Sequence, residues 1–228
     1  PTLQCDVLYL SLEDTQRRIK DRLYNLTDSA PDNLYFAVTS GLIGGGLEEQ
    51  ITDFLTEHPA TKLVIIDTLQ KVRDSKGSAG KAGMYGNDYD DISSIKRIAD
   101  GFNIAILLVH HLRKLQDSDD PFNDVSGSTG IIGAADTCIM LERPTRAEQT
   151  ATLSVIGRDI MDQNKVVRFN STLFQWELLG DAAQLDAQRE RQEYDQDRIV
   201  LTIRMLLDQA EHHTWTGSAS ELMKLVQE

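Results

Sequence analysis

Short apolar runs alternate with amphipathic stretches along the first half of the chain. The runs have the length and composition of β-strands and occupy residues 7–13, 33–38, 62–67 and 104–111. Apolar side chains at helical spacing recur in residues 15–26, 47–59 and 89–102. The runs at 62–67 and 104–111 are almost continuously apolar, which is typical of strands buried on both faces of a parallel sheet. The alternation predicts an α/β fold with a doubly wound, largely parallel sheet.

The second half of the chain has a different pattern. After the polar segment 112–130, we expect strands at one antiparallel edge of the sheet, at residues 136–143, 151–159 and 165–178. A charged linking helix follows from Asp181, residues 198–210 regain an apolar periodicity, and Ser218 with Glu221 forms a capping box for a last helix. We therefore divide the chain into a core, 1–180, and a helical appendage, 181–228. The appendage is interpreted either as a partial winged helix or as a hairpin packed on the core.

Composition and charge narrow the class of protein. The chain has 228 residues, of which 40% are hydrophobic and 26% charged, as in ordinary globular proteins. It contains neither a signal peptide nor an apolar run of the roughly 18 residues that span a membrane, so we expect a cytoplasmic protein without membrane contact. Cys5 and Cys138 lack the spacing of a metal site and are expected to be buried thiols. The net charge of −13 argues against broad adhesion to nucleic acid but permits a local basic channel.

Polar side chains follow three of the predicted strands where each strand ends. These residues are Glu13 and Asp14, Asp67 and Thr68, and His110 and His111. In doubly wound sheets, ligands bind beyond the carboxyl ends of the strands, so all six are candidate ligand contacts. LVIID, ending at Asp67, has the pattern of a Walker B strand, whose aspartate holds Mg²⁺.

Each candidate also has a structural interpretation. Asp67 is equally typical of a helix N-cap, and Glu13 is suited to the start of a helix at Thr15. His110 and His111 alternate in direction along a strand, so one of them is expected to be structural.

Two glycine-rich stretches invite comparison with a phosphate-binding loop. SKGSAGKAG, residues 75–83, has Ser75 where GxxxxGK[ST] requires its first glycine and Ala82 where it requires a hydroxyl. It also follows a Walker B strand and leads into a glycine-rich loop instead of opening a helix. GLIGGG, residues 41–46, has no lysine. Neither stretch fits a P-loop.

The order of the motifs carries a resemblance to a known family. LYLSLED followed by RR, then LVIIDTLQ, IAILLVHHLRK, SGSTGIIGAADTCIMLER and IGRD resembles the RecA-like P-loop ATPases of the RepA type, AAA family relatives of the DnaB ring helicases, over about residues 7–180. The resemblance implies ATP and Mg²⁺ as cofactors, with Glu13 as the catalytic glutamate, Asp67 as the Walker B metal ligand and His111 as the γ-phosphate sensor. It implies that Thr68 and His110 contact the cofactor.

The resemblance also implies partners. Arg158 matches the region that supplies an arginine finger to a neighbouring subunit of a homo-oligomeric ring, such as a hexamer; its alternative is an exposed turn residue. Single-stranded or double-stranded DNA would contact basic residues after the strands, namely Arg73, Lys76, Lys81, Arg113 and Lys114. The alternative for the loop carrying Lys76 and Lys81 is a mobile surface loop.

The family's Walker A segment precedes the strand that ends at Glu13, and this chain starts with Pro1 shortly before that strand. We expect a processed or excised fragment, either trimmed or lacking the segment in its reading frame. Two functions then follow. One is an ATPase subunit of a DNA helicase or replication protein from a plasmid, phage or integrated element. The other is a nucleotide-free remnant that acts as an oligomerisation or DNA-binding module.

The sequence predicts weak nucleotide binding by residues 1–228 alone. Without a glycine-rich loop and its lysine, no backbone amides are arranged around the phosphates, so we expect no tight affinity for ATP. Calorimetry with ATP and Mg²⁺ measures this affinity. A sub-micromolar dissociation constant would show that another loop holds the phosphates.

Overall fold

A computed structural model describes residues 3–73, 80–111, 122, 129–143, 145, 147–210 and 213–227. Two sheets contain the described strands. The first is parallel and has four strands in the order β2-β1-β3-β4: β1 (Asp6–Ser11), β2 (Leu34–Ala37), β3 (Thr61–Asp67) and β4 (Ala105–Val109). Its helices are α1 (Gln16–Leu26), α2 (Leu47–Glu57), α3 (Leu69–Val72), α4 (Gly80–Phe102) and α5 (Thr129–Ala134). The predicted alternation of strand and helix is confirmed.

The hydrophobic core lies on one face of the parallel sheet. Alternate residues of a strand point to the same face, so Leu8 and Leu10 of β1 share a face with Val64 and Ile66 of β3. They form one cluster with apolar residues of α2, α4 and α5, namely Leu47, Ile51, Leu55, Ile92, Ile95, Ile98, Ile131 and Ala134. This cluster fixes the sheet against the helices.

The opposite face carries a row of apolar side chains that are only partly covered. The register aligns Phe36, Tyr9, Ile65 and Leu107 across the four strands. Phe36 is 37% exposed and Leu107 is 44% exposed. The expectation of strands buried on both faces is therefore wrong: β3 is buried on its helix-facing side, at Val64 and Ile66, and β4 is at most half-buried on either side. We call the four aligned residues the outer row.

Helix α4 begins earlier than the sequence pattern indicates. We expected a glycine-rich loop before a helix at residue 89, but the helix runs from Gly80 to Phe102. Alanine, lysine and methionine between the glycines favour helix, and the buried Ile92, Ile95 and Ile98 stabilise it by packing.

A partly buried arginine joins the end of α3 to α4. Arg73 donates through Nε to Asp91 at 2.8 Å and through a terminal nitrogen to Asp88. The side chain of Asp88 is 0% exposed and that of Arg73 is 16% exposed. The arginine thus places its charge beside a carboxylate that has no contact with water.

The second sheet is an antiparallel meander in the order β5-β6-β7-β8: β5 (Thr137–Glu142), β6 (Thr150–Gly157), β7 (Gln163–Asn170) and β8 (Gln175–Asp181). These strands were expected at an antiparallel edge, and among the described residues they form a separate sheet. Lys96 of α4 pairs with Asp136, just before β5, and so connects the two halves of the core.

Three helices follow the second sheet: α6 (Ala182–Gln196), α7 (Arg198–Gln209) and α8 (Ala219–Gln227). Helix α6 packs on β7 and β8, and α7 contacts α6 and α8. The predicted capping box is confirmed, because Ser218 N donates to Glu221 Oε2 at 2.7 Å and Glu221 N donates to Ser218 Oγ at 3.3 Å. The division at residue 180 stays a prediction.

Replacement of Arg73 by alanine should strongly destabilise the fold. It leaves the buried carboxylate of Asp88 without the arginine's charge, so we expect a loss of about 3–5 kcal/mol in the free energy of unfolding. Chemical denaturation measures this loss.

Arg168→Ala is the matched control, because Arg168 pairs with Glu177 on an exposed surface. We expect it to cost about 1 kcal/mol or less. Equal effects of the two substitutions would contradict a special role for the buried pair.

Candidate functional site

Three neighbouring strands end at the same level of the parallel sheet. Ser11 of β1 is paired with Asp67 of β3, and Asp67 with Val109 of β4. The residues that follow each strand therefore meet at one edge, as their positions in the sequence predicted. They include Glu13, Thr68 and His111.

Glu13 contacts the residues that follow the other two strands. The hydroxyl of Thr68 donates to Glu13 Oε1 at 3.1 Å, and His111 Nε2 lies 3.7 Å from Glu13 Oε2. Thr68 is buried, whereas the side chains of Glu13 and His111 are 42% and 69% exposed. A buried hydroxyl thus anchors a carboxylate that solvent or a ligand can reach.

Neither Glu13 nor Asp67 occupies a helix N-cap position in the structure. The N-cap of α1 is Thr15, whose side chain accepts from Arg18 N, and not Glu13. The residue at the N-cap position of α3 is Thr68. Glu13 and Asp67 thus make other contacts with their carboxylates.

Tyr9 contacts the predicted metal ligand. Its phenol donates to Asp67 Oδ2 at 2.7 Å. Burial, together with this hydrogen bond and the charge of Asp67, raises the pKa of Tyr9 to about 12, so the phenol stays protonated and remains a donor at neutral pH. The role of Tyr9 is not evident from the sequence, since its contact depends on β1 lying next to β3.

Asp14 has basic partners on α1. Arg18 approaches it at 2.9 Å, and Arg22 donates to its other oxygen. Two guanidinium groups on one carboxylate neutralise its charge and fix the start of α1. Asp14 therefore stabilises the start of α1, and the other two strand-end carboxylates, Glu13 and Asp67, are the candidates for a ligand.

The side chains at this edge fit Mg²⁺ only if water and phosphate supply most of its ligands. Among the described residues there is no group of three or more histidine, cysteine, aspartate or glutamate side chains arranged to hold a metal. Mg²⁺ commonly keeps several waters and binds through one or two carboxylates plus substrate phosphates. Asp67, with the Thr68 hydroxyl beside it, fits a site of that kind.

His110 and Arg158 occupy different surroundings. His110 directly follows β4 and is half-buried, next to the exposed His111. Arg158 follows β6; one terminal nitrogen donates to Gly133 O at 2.9 Å and the other lies 3.5 Å from Asp136 Oδ1. The hydrogen bond from Lys96 lowers the pKa of Asp136, which keeps that carboxylate charged. Arg158 is half-exposed and held within its own chain.

The structure describes only some of the residues that are predicted to contact DNA. Arg73 is engaged by Asp88 and Asp91, so we assign it a structural role. Lys81 is described only as a position in α4, and Lys76, Arg113 and Lys114 lie outside the described residues. Contacts with DNA therefore stay a prediction for these lysines and for Arg113.

Comparison with solved structures defines the class of fold. A solved ATPase domain superposes with a TM-score of 0.61 at 15% sequence identity, over 75% of this chain and 74% of that chain. The RadB recombinase superposes with a TM-score of 0.50 at 11% identity, over 74% of this chain and 77% of that chain. At these identities the likeness concerns the fold, which is RecA-like, as the sequence predicted.

The family follows from the sequence. The AAA domain model matches residues 1–117, more than half of the 228 residues, and the chain belongs to that family. A search of curated proteins finds no match. Among the described helices, none combines the length and apolar character needed to cross a bilayer.

Proposed function

We propose that this chain forms the ATPase core of a RepA- or DnaB-like helicase or replication protein from a plasmid, phage or integrated element, which couples ATP hydrolysis to binding or translocation of DNA. Family membership and the RecA-like fold support the proposal. The observation that carries it is the meeting of Glu13 with Thr68 and His111 at the carboxyl edge of the sheet. In this proposal residues 1–180 form the ATPase core and 181–228 an appendage.

Glu13 is the general base in the proposed reaction. It takes a proton from water as the water oxygen bonds to the γ-phosphorus, the bond from that phosphorus to the bridging oxygen breaks, and ADP leaves with the electron pair. Thr68 holds one oxygen of Glu13 and leaves the other toward His111. His111 therefore lies next to the base, where it would detect the γ-phosphate.

Asp67 would hold Mg²⁺, which when bound offsets charge on the phosphates, and Thr68 and His110 would contact the cofactor. The 228 residues contain no GxxxxGK[ST] sequence. In this proposal, the amides that surround the phosphates belong to a segment outside these residues. The outer row (Phe36, Tyr9, Ile65 and Leu107) is largely apolar and partly exposed, as a sheet face that packs against a further helix would be.

Glu13→Gln tests the role of the base in the full-length protein. The amide cannot accept the proton but keeps the size of the side chain, so we expect hydrolysis to fall about a hundredfold or more while ATP binding persists. Phosphate release measures the first quantity and equilibrium binding of ATP the second.

Glu49→Gln, an exposed position of α2, is the control and should retain full activity. Unchanged turnover in Glu13→Gln would refute the assignment. DNA binding without any ATPase activity in the wild-type protein would favour the nucleotide-free module instead.

Assembly into a homo-oligomeric ring completes the proposed site. Arg158 would act as a finger toward the nucleotide of a neighbouring subunit, after releasing Gly133 and Asp136 of its own chain. A head-to-tail interface of this kind closes into rings. DNA would contact Lys76, Lys81, Arg113 and Lys114 in the segments after β3 and β4.

Mixed assemblies test the finger. In the full-length protein, Arg158→Ala should leave ATP binding intact and reduce hydrolysis by about a thousandfold or more, because the charge on the transferred phosphoryl group loses its partner. Mixing it with Glu13→Gln should restore part of the activity at interfaces that pair an intact glutamate with an intact arginine.

Arg168→Ala, on the exposed surface of β7, controls for loss of a surface charge and should remain active. If subunits exchange and mixed assemblies recover no activity, Arg158 is a structural residue.

A further inference from the structure

Tyr9 occupies a position that no motif assigns to the reaction. It lies on β1 in the outer row, on the sheet face opposite the buried cluster. Tyr9 pairs with Ile65, and Asp67 follows on the same face two residues further along β3. The phenol extends along this face and donates to Asp67 Oδ2 at 2.7 Å. The contact is therefore a direct result of the parallel pairing of β1 and β3.

The ring that carries this hydroxyl lies beside a second aromatic ring. Phe36 packs beside Tyr9 with ring centroids 5.5 Å apart. A neutral phenol donating to a carboxylate makes a charge-assisted hydrogen bond, which is stronger than one between neutral groups. The bond fixes rotation of the Asp67 carboxylate, since one of its two oxygens has a defined partner. The other oxygen, Oδ1, can then take a defined direction toward a ligand.

We propose that Tyr9 is a positioning residue for Asp67, holding Oδ2 so that Oδ1 is presented to Mg²⁺ or to a metal-bound water. This inference rests on the proposed function, in which Asp67 holds the metal. Groups that orient a metal ligand from behind contribute to metal affinity although they never contact the metal. A bond that merely ties β1 to β3 would contribute to stability alone.

Mn²⁺ is the probe that separates these roles. In the full-length protein saturated with ATP, electron paramagnetic resonance measures the Mn²⁺ dissociation constant of wild type and of Tyr9→Phe. The phenylalanine keeps the ring but removes the donor, so we expect Mn²⁺ affinity to fall about tenfold. The affinity for ATP without metal should stay at its wild-type value.

Two controls address folding and packing. Tyr35→Phe removes a phenol on the helix-facing side of β2, where Tyr35 packs against Phe54 and His58, and should keep wild-type Mn²⁺ affinity. Phe36→Leu disturbs the packing of the Tyr9 ring but leaves the hydroxyl of Tyr9 present. It should also keep wild-type Mn²⁺ affinity. A loss in Phe36→Leu equal to that in Tyr9→Phe would overturn the proposal, because packing would then explain both.

Asp67→Asn separates this inference from the proposed function. If it weakens Mn²⁺ binding and Tyr9→Phe does not, Asp67 holds the metal and the positioning role of Tyr9 is refuted. If it leaves Mn²⁺ binding unchanged, the metal assignment itself fails and the role of Tyr9 falls with it. Weaker binding in both variants, with both controls unaffected, is the result that we expect.

Discussion

Because β3 pairs in parallel with β1 on one side and β4 on the other, three strand ends lie side by side at one edge of the sheet. Every contact of the candidate site depends on this register. A slip of one residue in β3 would turn Asp67 toward the buried face and would turn Val64 and Ile66 away from it. The fully buried Val64 and Ile66 therefore hold the site in register as well as stabilising the core.

Three carboxylates share this edge, and their different partners give them different chemistry. Asp14 is neutralised by two arginines of α1, Asp67 accepts from a phenol, and Glu13 accepts from a buried threonine while remaining open to solvent. Glu13 combines an oxygen fixed by Thr68 with a side chain that is 42% exposed. That combination is what a base needs in order to meet a water molecule in a defined position.

The alternation of apolar and amphipathic stretches was sufficient to predict the parallel sheet and the meeting of Glu13, Thr68 and His111, because strand ends in such sheets share an edge. It was not sufficient for contacts that depend on which strands are neighbours. Tyr9 reaches Asp67 only because β1 lies beside β3. Likewise, Arg73 reads in the sequence as a basic residue available to DNA, whereas its pairing with Asp88 depends on how α3 and α4 pack. The early start of α4 depends on the same packing, which overrides the low helix propensity of glycine.

The outer row and β4 also determine how this chain behaves among copies of itself. Leu107 is 44% exposed in β4, which is the end strand of the parallel sheet in the part of the chain that the structure describes. An uncovered apolar edge with unpaired backbone groups is a template for another extended chain. The net charge of −13 makes copies of the chain repel one another, and salt screens this repulsion. We therefore expect association through exposed apolar strands to increase with ionic strength.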